Sequence, residues 1–480
     1  MLPDVALLEI FDFYLSQVPD PPIHNRQTWI TLVHVCRKWR DIAFGSPRRL
    51  NLRLLVTSTS SVRKMLDTWP PPMLIDIWGF ELGVWPIRTI IAALEHDDRI
   101  RLIELFDSST IHMEKALAAM RKPFPELIGL SLQFFDQEPD REVTSWPAIP
   151  DSFLGESAPR LRSLRLICIP FPIPALRKLV LSATDLVRIR IWRIPDFWYI
   201  SPEEIIACIS TLTRLEDLEL GFQSRDNVGG RRRPPSTTRC VLPALTSLQF
   251  KGIYEYMEDL MARIDAPRLD NLKLFLFDQH VLDAPQLARF IGHIPQFKAL
   301  EVLRALFDQR GIFVSLPCTP RRGLQIGIFR GPYDAQLSAL VELCTSESSF
   351  LRTLVPIVKR LYIFESRSLL YWLERTENSQ WLELLRPFTA VRDLYLSKEF
   401  AMYIVSALLG FDGEGTMEVL PALRNFFLER IPSPAEPFEE ITRDWQFVAA
   451  GQLSRHQIAV SYWDVERDKV DKLFDHEDGL

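Results

Sequence analysis

The residues best equipped for chemistry are spaced in a way that rules most chemistry out. His24, His34, His96, His112, His280, His293, His456 and His476 form no HExxH and no pair at i, i+4, the spacing that sets two imidazoles on one helix face for a metal. The six cysteines, Cys36, Cys168, Cys208, Cys240, Cys318 and Cys344, include no CxxC and no tight cluster. They read as free thiols in a reducing compartment, not as a disulfide framework or a zinc site. "GFDGEGT" (410–416) is glycine-rich, yet it lacks the Lys-Ser/Thr that would hold a phosphate, and Asp412 and Glu414 alone make no calcium loop. A turn is expected there. No G-x-S-x-G elbow is present. No catalytic residue, metal ligand or cofactor site is identified, and the chain is not expected to be an enzyme.

The elements that stand out are apolar surfaces in need of cover. "LPDVALLEIFDFYL" (2–15) has helix-start chemistry, with Pro3 in the first turn and Asp4 and Glu9 toward the N-terminal end. Only Asp4, Asp12 and Ser16 line up as a polar stripe, so the apolar arc is wider than that of a one-sided surface helix. "PDPP" (19–22) breaks the chain. "TWITLVHVCRKWRDIAF" (28–44) then reads as a second helical stretch carrying Trp29, Leu32, Val33, Cys36, Trp39, Ile42 and Ala43, ended by "GSP" (45–47). So short a segment cannot bury this much apolar surface by itself. Part of it must face the rest of the chain or a partner.

Leu2-Pro3, Leu7-Leu8 and Ile10-Phe11, followed by Val35-Cys36-Arg37-Lys38-Trp39 and Ile42, resemble an F-box in order and spacing, over residues 2 to about 50. The resemblance implies a small all-α module at residues 1–50 that docks on a Skp-type adaptor and, through it, a cullin. It implies adaptor binding by Leu2, Pro3, Leu7, Leu8, Ile10, Phe11, Val35, Cys36 and Trp39, shared between the module's own core and its docking face.

From about residue 70 the chain repeats an apolar-x-x-apolar-x-apolar phrase. It occurs as Ile100/Ile103/Leu105, Leu127/Leu130/Leu132, Leu161/Leu164/Leu166, Leu186/Ile189/Ile191 and Leu215/Leu218/Leu220. It returns as Leu245/Leu248/Phe250, Leu269/Leu272/Leu274, Val358/Leu361/Ile363, Val391/Leu394/Leu396 and Leu423/Phe426/Leu428, with degenerate members at 300–307 and 322–329. Lead-ins such as "FPEL", "APRL" and "LPAL" recur, and the steps run from about 24 to 34 residues. Each phrase predicts a short strand whose alternate residues point inward. Segments such as 202–215 and 334–346 predict the helix behind it. One such unit cannot bury its own apolar face, so stacking into a solenoid is expected.

This region resembles leucine-rich-repeat proteins of the irregular, F-box-linked kind expanded in fungi, without the asparagine that normally follows the strand. The expected fold class is therefore α/β: a leucine-rich-repeat-like solenoid over 51–480 with a C-terminal cap, preceded by the helical module. "SRDNVGGRRRPPSTTR" (224–239), with the Arg231–Arg233 run, and "PSPAEPFEE" (432–440) are expected loops, and 464–480 a charged tail.

Composition narrows the partners. A net charge of −6 on 480 residues argues against general nucleic-acid binding, whose footprint is a basic face. No apolar run approaches the roughly 18 residues that span a bilayer, and no secretory signal is visible at Asp4, Glu9 and Asp12. An intracellular protein, in cytoplasm or nucleus, is expected, with no membrane. Together the two resemblances imply the substrate-recognition subunit of a cullin-type ubiquitin ligase, whose solenoid holds an unidentified protein target. The other reading is a non-enzymatic leucine-rich-repeat scaffold whose N-terminal helices only cap the solenoid.

Overall fold

The computed structural model describes the chain outside residues 1, 17–27, 58, 70, 82–83, 136–145, 148, 196, 224–238, 278–283, 299, 320–321, 330–332, 348, 366–377, 410–418, 431–445, 447, 449, 452, 455–456 and 465–480. The two Pro-rich or Arg-rich segments, nearly all of the charged tail and the "GFDGEGT" stretch lie outside the described residues. The chain forms two compact units, Met1–Glu219 and Leu220–Leu480, divided inside one strand. Each is α/β.

The first unit begins with three helices, α1 (Asp4–Ser16), α2 (Ile30–Val35) and α3 (Arg37–Gly45). The single helix expected over 28–44 is broken at Cys36, whose backbone is extended at φ −160° and ψ 170°. The break frees carbonyls at the end of α2, and Arg40 Nε donates to one of them, on Val33, at 3.0 Å. Six strands follow: β1 (Arg53–Val56), β2 (Leu74–Phe80), β3 (Ile100–Asp107), β4 (Gly129–Phe134), β5 (Ser163–Ile167) and β6 (Arg188–Ile194). They pair in chain order and all in parallel. Parallel neighbours require a crossover, which here comes from α4 (Val62–Thr68), α5 (Val84–Leu94), α6 (Thr110–Ala119) and α7 (Ile173–Ser182), with a short 3-10 turn between β4 and β5. Helix α8 (Pro202–Ile209) leads to β7 (Asp217–Phe222), the strand that contains the boundary.

The register shows why the phrase repeats. Ile103, Leu130, Leu164 and Ile189 stand in one row across β3 to β6, all buried, and Leu105, Leu132, Leu166 and Ile191 form the next. Met113, Ala116 and Leu117 of α6 and Leu176, Leu179 and Val180 of α7 close over these rows. Each such Leu or Ile contributes about 1.5–3 kcal/mol of burial. The lead-ins are turns. Leu127, Leu161, Leu186 and Leu215 each donate a backbone N–H to the carbonyl three residues back, at 3.0–3.3 Å. This is also why α8 ends at Ile209, short of the 202–215 expected: Leu212 to Leu215 belong to the lead-in turn.

In the second unit, β8 (Cys240–Val241) and β10 (Ile264–Asp265) pair as a small ribbon. Strand β9 (Ser247–Gly252), helix α9 (Tyr254–Arg263) and β11 (Asn271–Phe277) continue the strand–helix alternation. After α10 (Pro285–His293), the order departs from expectation. The degenerate phrases at 300–307 and 322–329 do form strands, β12 (Val302–Asp308) and β14 (Arg322–Phe329), but with β13 (Gly311–Thr319) inserted between them. The order is β11-β14-β13-β12-β15, and β13 is antiparallel to both neighbours. The reason is local. Asp308 Oδ1 accepts the Arg310 N–H at 3.0 Å, and Gly311 at φ +157° carries the chain back after a two-residue turn. With α11 (Tyr333–Thr345), β15 (Arg360–Glu365), α12 (Asn378–Leu385), β16 (Asp393–Leu396), α13 (Lys398–Leu409), β17 (Asn425–Glu429) and β18 (Ala459–Trp463), parallel pairing resumes to the last described strand.

Candidate functional site: the outer face of the N-terminal helices

The three N-terminal helices have an inner and an outer side. Inside, Leu7, Phe11, Leu32, Val33 and Ala43 are buried, and Trp39 lies on Phe11 with ring centroids 4.8 Å apart. Trp29 fastens the helices to the first strand. Its indole Nε1 donates to the Arg53 carbonyl at 2.8 Å, and its ring packs edge-on against Trp69 at 5.2 Å. Phe44 completes that cluster. At the rim, Arg48 reaches Glu126 at 3.1 Å, and Arg160 reaches the same carboxylate. Lys38 Nζ bridges to Asp4 at 3.0 Å and donates to the Leu2 carbonyl at 3.1 Å, which holds the start of α1 against α3.

The outer side is apolar and exposed. Leu2 is 54% exposed, Val5 66%, Ile10 46%, Phe13 66%, Tyr14 46% and Val35 59%. Ile10, Phe13 and Tyr14 stand at i, i+3 and i+4 and so share one flank of α1. Of the nine residues implied for adaptor binding, Leu2, Pro3, Ile10, Val35 and Cys36 are exposed, and Leu8 and Trp39 are part-buried. Leu7 and Phe11 belong to the core beneath. Val5, Phe13 and Tyr14 lie on the outer side as well, beyond the nine residues that the resemblance implies. Their signal in the sequence was the breadth of the apolar arc, which leaves more residues than one inner face holds.

Thiol chemistry is confined to the surface. Burial pushes Cys344 up to about 12 and Cys208 up to about 11, and raises Cys240 as well. Cys168 is buried too, while Cys36 and Cys318 are exposed. We expect a thiol reagent to label two cysteines in the native chain, Cys36 and Cys318, and all six after unfolding; mass mapping of the labelled peptides checks this.

The nearest approach to a catalytic dyad is Asp107 with His112, whose Nδ1 lies 3.5 Å from Oδ2. The geometry is structural. Asp107 ends β3, is 2% exposed, and its Oδ1 accepts the N–H groups of Ser108 at 2.8 Å and Ser109 at 3.1 Å. Burial holds its carboxyl above the ordinary carboxylate range, against the pull of the Ser109 amide and His112. A carboxyl raised in the folded state favours folding while protonated and loses that contribution as pH rises through the folded value. Asp107→Asn, which keeps the acceptor without the charge, is therefore expected to unfold at the same denaturant midpoint or a higher one at neutral pH. Asp107→Ala, which strands two N–H donors, should cost about 1–3 kcal/mol. Among the described residues no cluster of three metal-ligating side chains exists, and no helix is long and apolar enough to cross a membrane.

No protein-family model matches the sequence, and no curated protein matches it. Among solved structures, the chain is similar to the leucine-rich repeat-containing protein LegL7 from Legionella pneumophila at 13% identity, over 82% of this chain and 97% of that one, with a TM-score of 0.28. So low a score carries no argument. What is leucine-rich-repeat-like here is the chain's own succession of leucine-bearing parallel strands and helices.

Proposed function

We propose that the chain is a substrate receptor of a cullin-type ubiquitin ligase: an F-box-like helical module docks on a Skp-type adaptor, and a leucine-rich-repeat-like body holds a protein target. The observation that carries this reading is the exposure of the apolar side chains Ile10 and Tyr14 on α1 and Val35 at the end of α2, on helices whose opposite side is already fastened to β1. A terminal cap of a repeat array needs a polar outer face for solubility. An apolar outer face is the mark of an interaction site. In this role the protein performs no bond chemistry; it raises the local concentration of a target beside a ubiquitin-loaded enzyme. The proposed location is the cytoplasm or nucleus, where such an assembly works.

A scaffold reading, in which the same helices serve only as a lid, draws on the Trp29 and Glu126 contacts, which are those of a cap. The two readings separate in one experiment. Purified Skp-type adaptor is titrated into the folded full chain by calorimetry. Saturable one-to-one binding supports the receptor, and a flat titration leaves the scaffold.

A further inference from the structure

The face of the β12–β17 sheet turned away from the helices carries a row that the adaptor reading does not use. Arg304, Tyr362, Tyr395 and Phe427 are successive register partners across β12, β15, β16 and β17. The rings form a ladder: Tyr362 and Tyr395 stack at 4.1 Å, and Tyr395 and Phe427 at 4.2 Å. Trp463 packs edge-on against two of the rings, 5.3 Å from Tyr395 and 5.8 Å from Tyr362, with its Nε1 donating to the Leu396 carbonyl at 3.1 Å. At the Tyr362 end of the ladder the Arg304 guanidinium lies over the ring at 5.6 Å.

Charge on this face is out of balance. Arg360, two residues before Tyr362 on the same side of β15, adds a second guanidinium, and among the described residues neither Arg304 nor Arg360 forms an ion pair. Arg304 is part-buried, and both burial and Arg360 act to lower its pKa. The exposed Glu301, just before β12, is bound directly by Lys359, with Arg360 and Arg392 acting on it as well. Asp393, next to Arg360 in the register, is engaged by the Asn425 amide at 2.7 Å. A part-buried cation without a counter-ion is costly to keep, and an incoming carboxylate offsets that cost through charge-assisted hydrogen bonds.

We infer that this face is a docking site for an acidic peptide segment of a partner protein, with a carboxylate held between Arg304 and Arg360 and an adjoining apolar side chain laid along the ring edges of Tyr395 and Phe427. Nucleic acid fits less well. A polyphosphate needs a continuous basic track, and Asp393 interrupts this one. The inference stands apart from the adaptor reading, since it involves no residue of the N-terminal helices.

The test is an anisotropy titration of the full chain with a fluorescent pentapeptide alternating aspartate and phenylalanine, beside its asparagine counterpart and a labelled single-stranded oligonucleotide. Saturable binding of the acidic peptide is expected, at least about tenfold tighter than the asparagine form and weakening with salt. Arg304→Gln and Arg360→Gln should each weaken it by about tenfold or more. Arg360 is exposed, so its replacement leaves folding intact. Arg214→Gln, which breaks an ion pair with Asp185 elsewhere, should change nothing, as should Ile10→Asp and Val35→Asp on the N-terminal helices. Equal affinity for the asparagine peptide, undiminished affinity in both glutamine variants, tighter binding of the oligonucleotide, or no acidic-peptide binding at all would each overturn the inference.

Discussion

Aspartate at both Ile10 and Val35 is expected to lower the affinity for a Skp-type adaptor by roughly 100- to 1,000-fold, about 3–4 kcal/mol, while leaving the unfolding midpoint within a few tenths of a kcal/mol. Both side chains are exposed in the free chain, at 46% and 59%, so their removal takes nothing from the core. On the proposed docking they would lie inside the interface, away from water. There each loses its apolar burial, and each new carboxylate is desolvated without a partner. The contrast is Phe11→Ala. Phe11 is 0% exposed and supports Trp39, so that change should cost about 3–5 kcal/mol of folding and abolish docking through loss of the module. A second readout comes from Cys36, which the break between α2 and α3 leaves exposed beside Val35. Adaptor binding should slow its labelling and leave Cys318 as reactive as before. Wild-type affinity in the Ile10/Val35 double variant, with adaptor bound, would show that docking uses some other surface.

Gly311→Ala is expected to destabilise the second unit by on the order of 3 kcal/mol. A Cβ built at Gly311 meets the Ile328 carbonyl oxygen at 2.0 Å and its carbon at 2.8 Å, both backbone atoms of the neighbouring strand that cannot swing aside. The φ of +157° adds a conformational penalty for any residue with a Cβ. Consequences spread because the β12–β13–β14 meander supplies a middle piece of this unit's sheet. It also supplies Leu306 and Phe313 to an apolar cluster shared with Phe275 of β11 and Phe364 of β15. Gly292→Ala is the control, since a Cβ there meets nothing within 4 Å and lies in helix α10, where alanine is the better helix former. Denaturant midpoints with amide exchange over β12 to β14 check the pair. An unshifted midpoint for Gly311→Ala would mean the turn relaxes without cost.

Much of this architecture could be read from residues one at a time. The alternation of Leu130/Leu132 or Leu394/Leu396 has period two, and a strand is the only element that turns such residues to one side. The turns at "APRL" and "LPAL" follow from proline and the short step to the next leucine. Both signals are local, decided within about six residues, so the sequence by itself determined that the chain is built of short inward-facing strands separated by turns and helices. It also determined that the first fifty residues carry more apolar surface than they can bury.

What only the tertiary structure decided is who stands beside whom. Strand β14 carries the apolar alternation of a repeat, yet it reaches β11 through an antiparallel β13, because a tight turn at Asp308–Gly311 makes a hairpin cheaper than a crossover. The pairing of Arg304 with Tyr362, 58 residues apart in the numbering, depends on that insertion, which sets β12 beside β15. The division of the α1 arc into a buried Leu7 and Phe11 and an exposed Ile10 and Tyr14 likewise depends on Trp39 and Trp29 arriving from other elements. Periodicity reports how much surface must be covered; long-range packing alone selects the side that is covered, because that choice rests on contacts between segments that no local pattern connects.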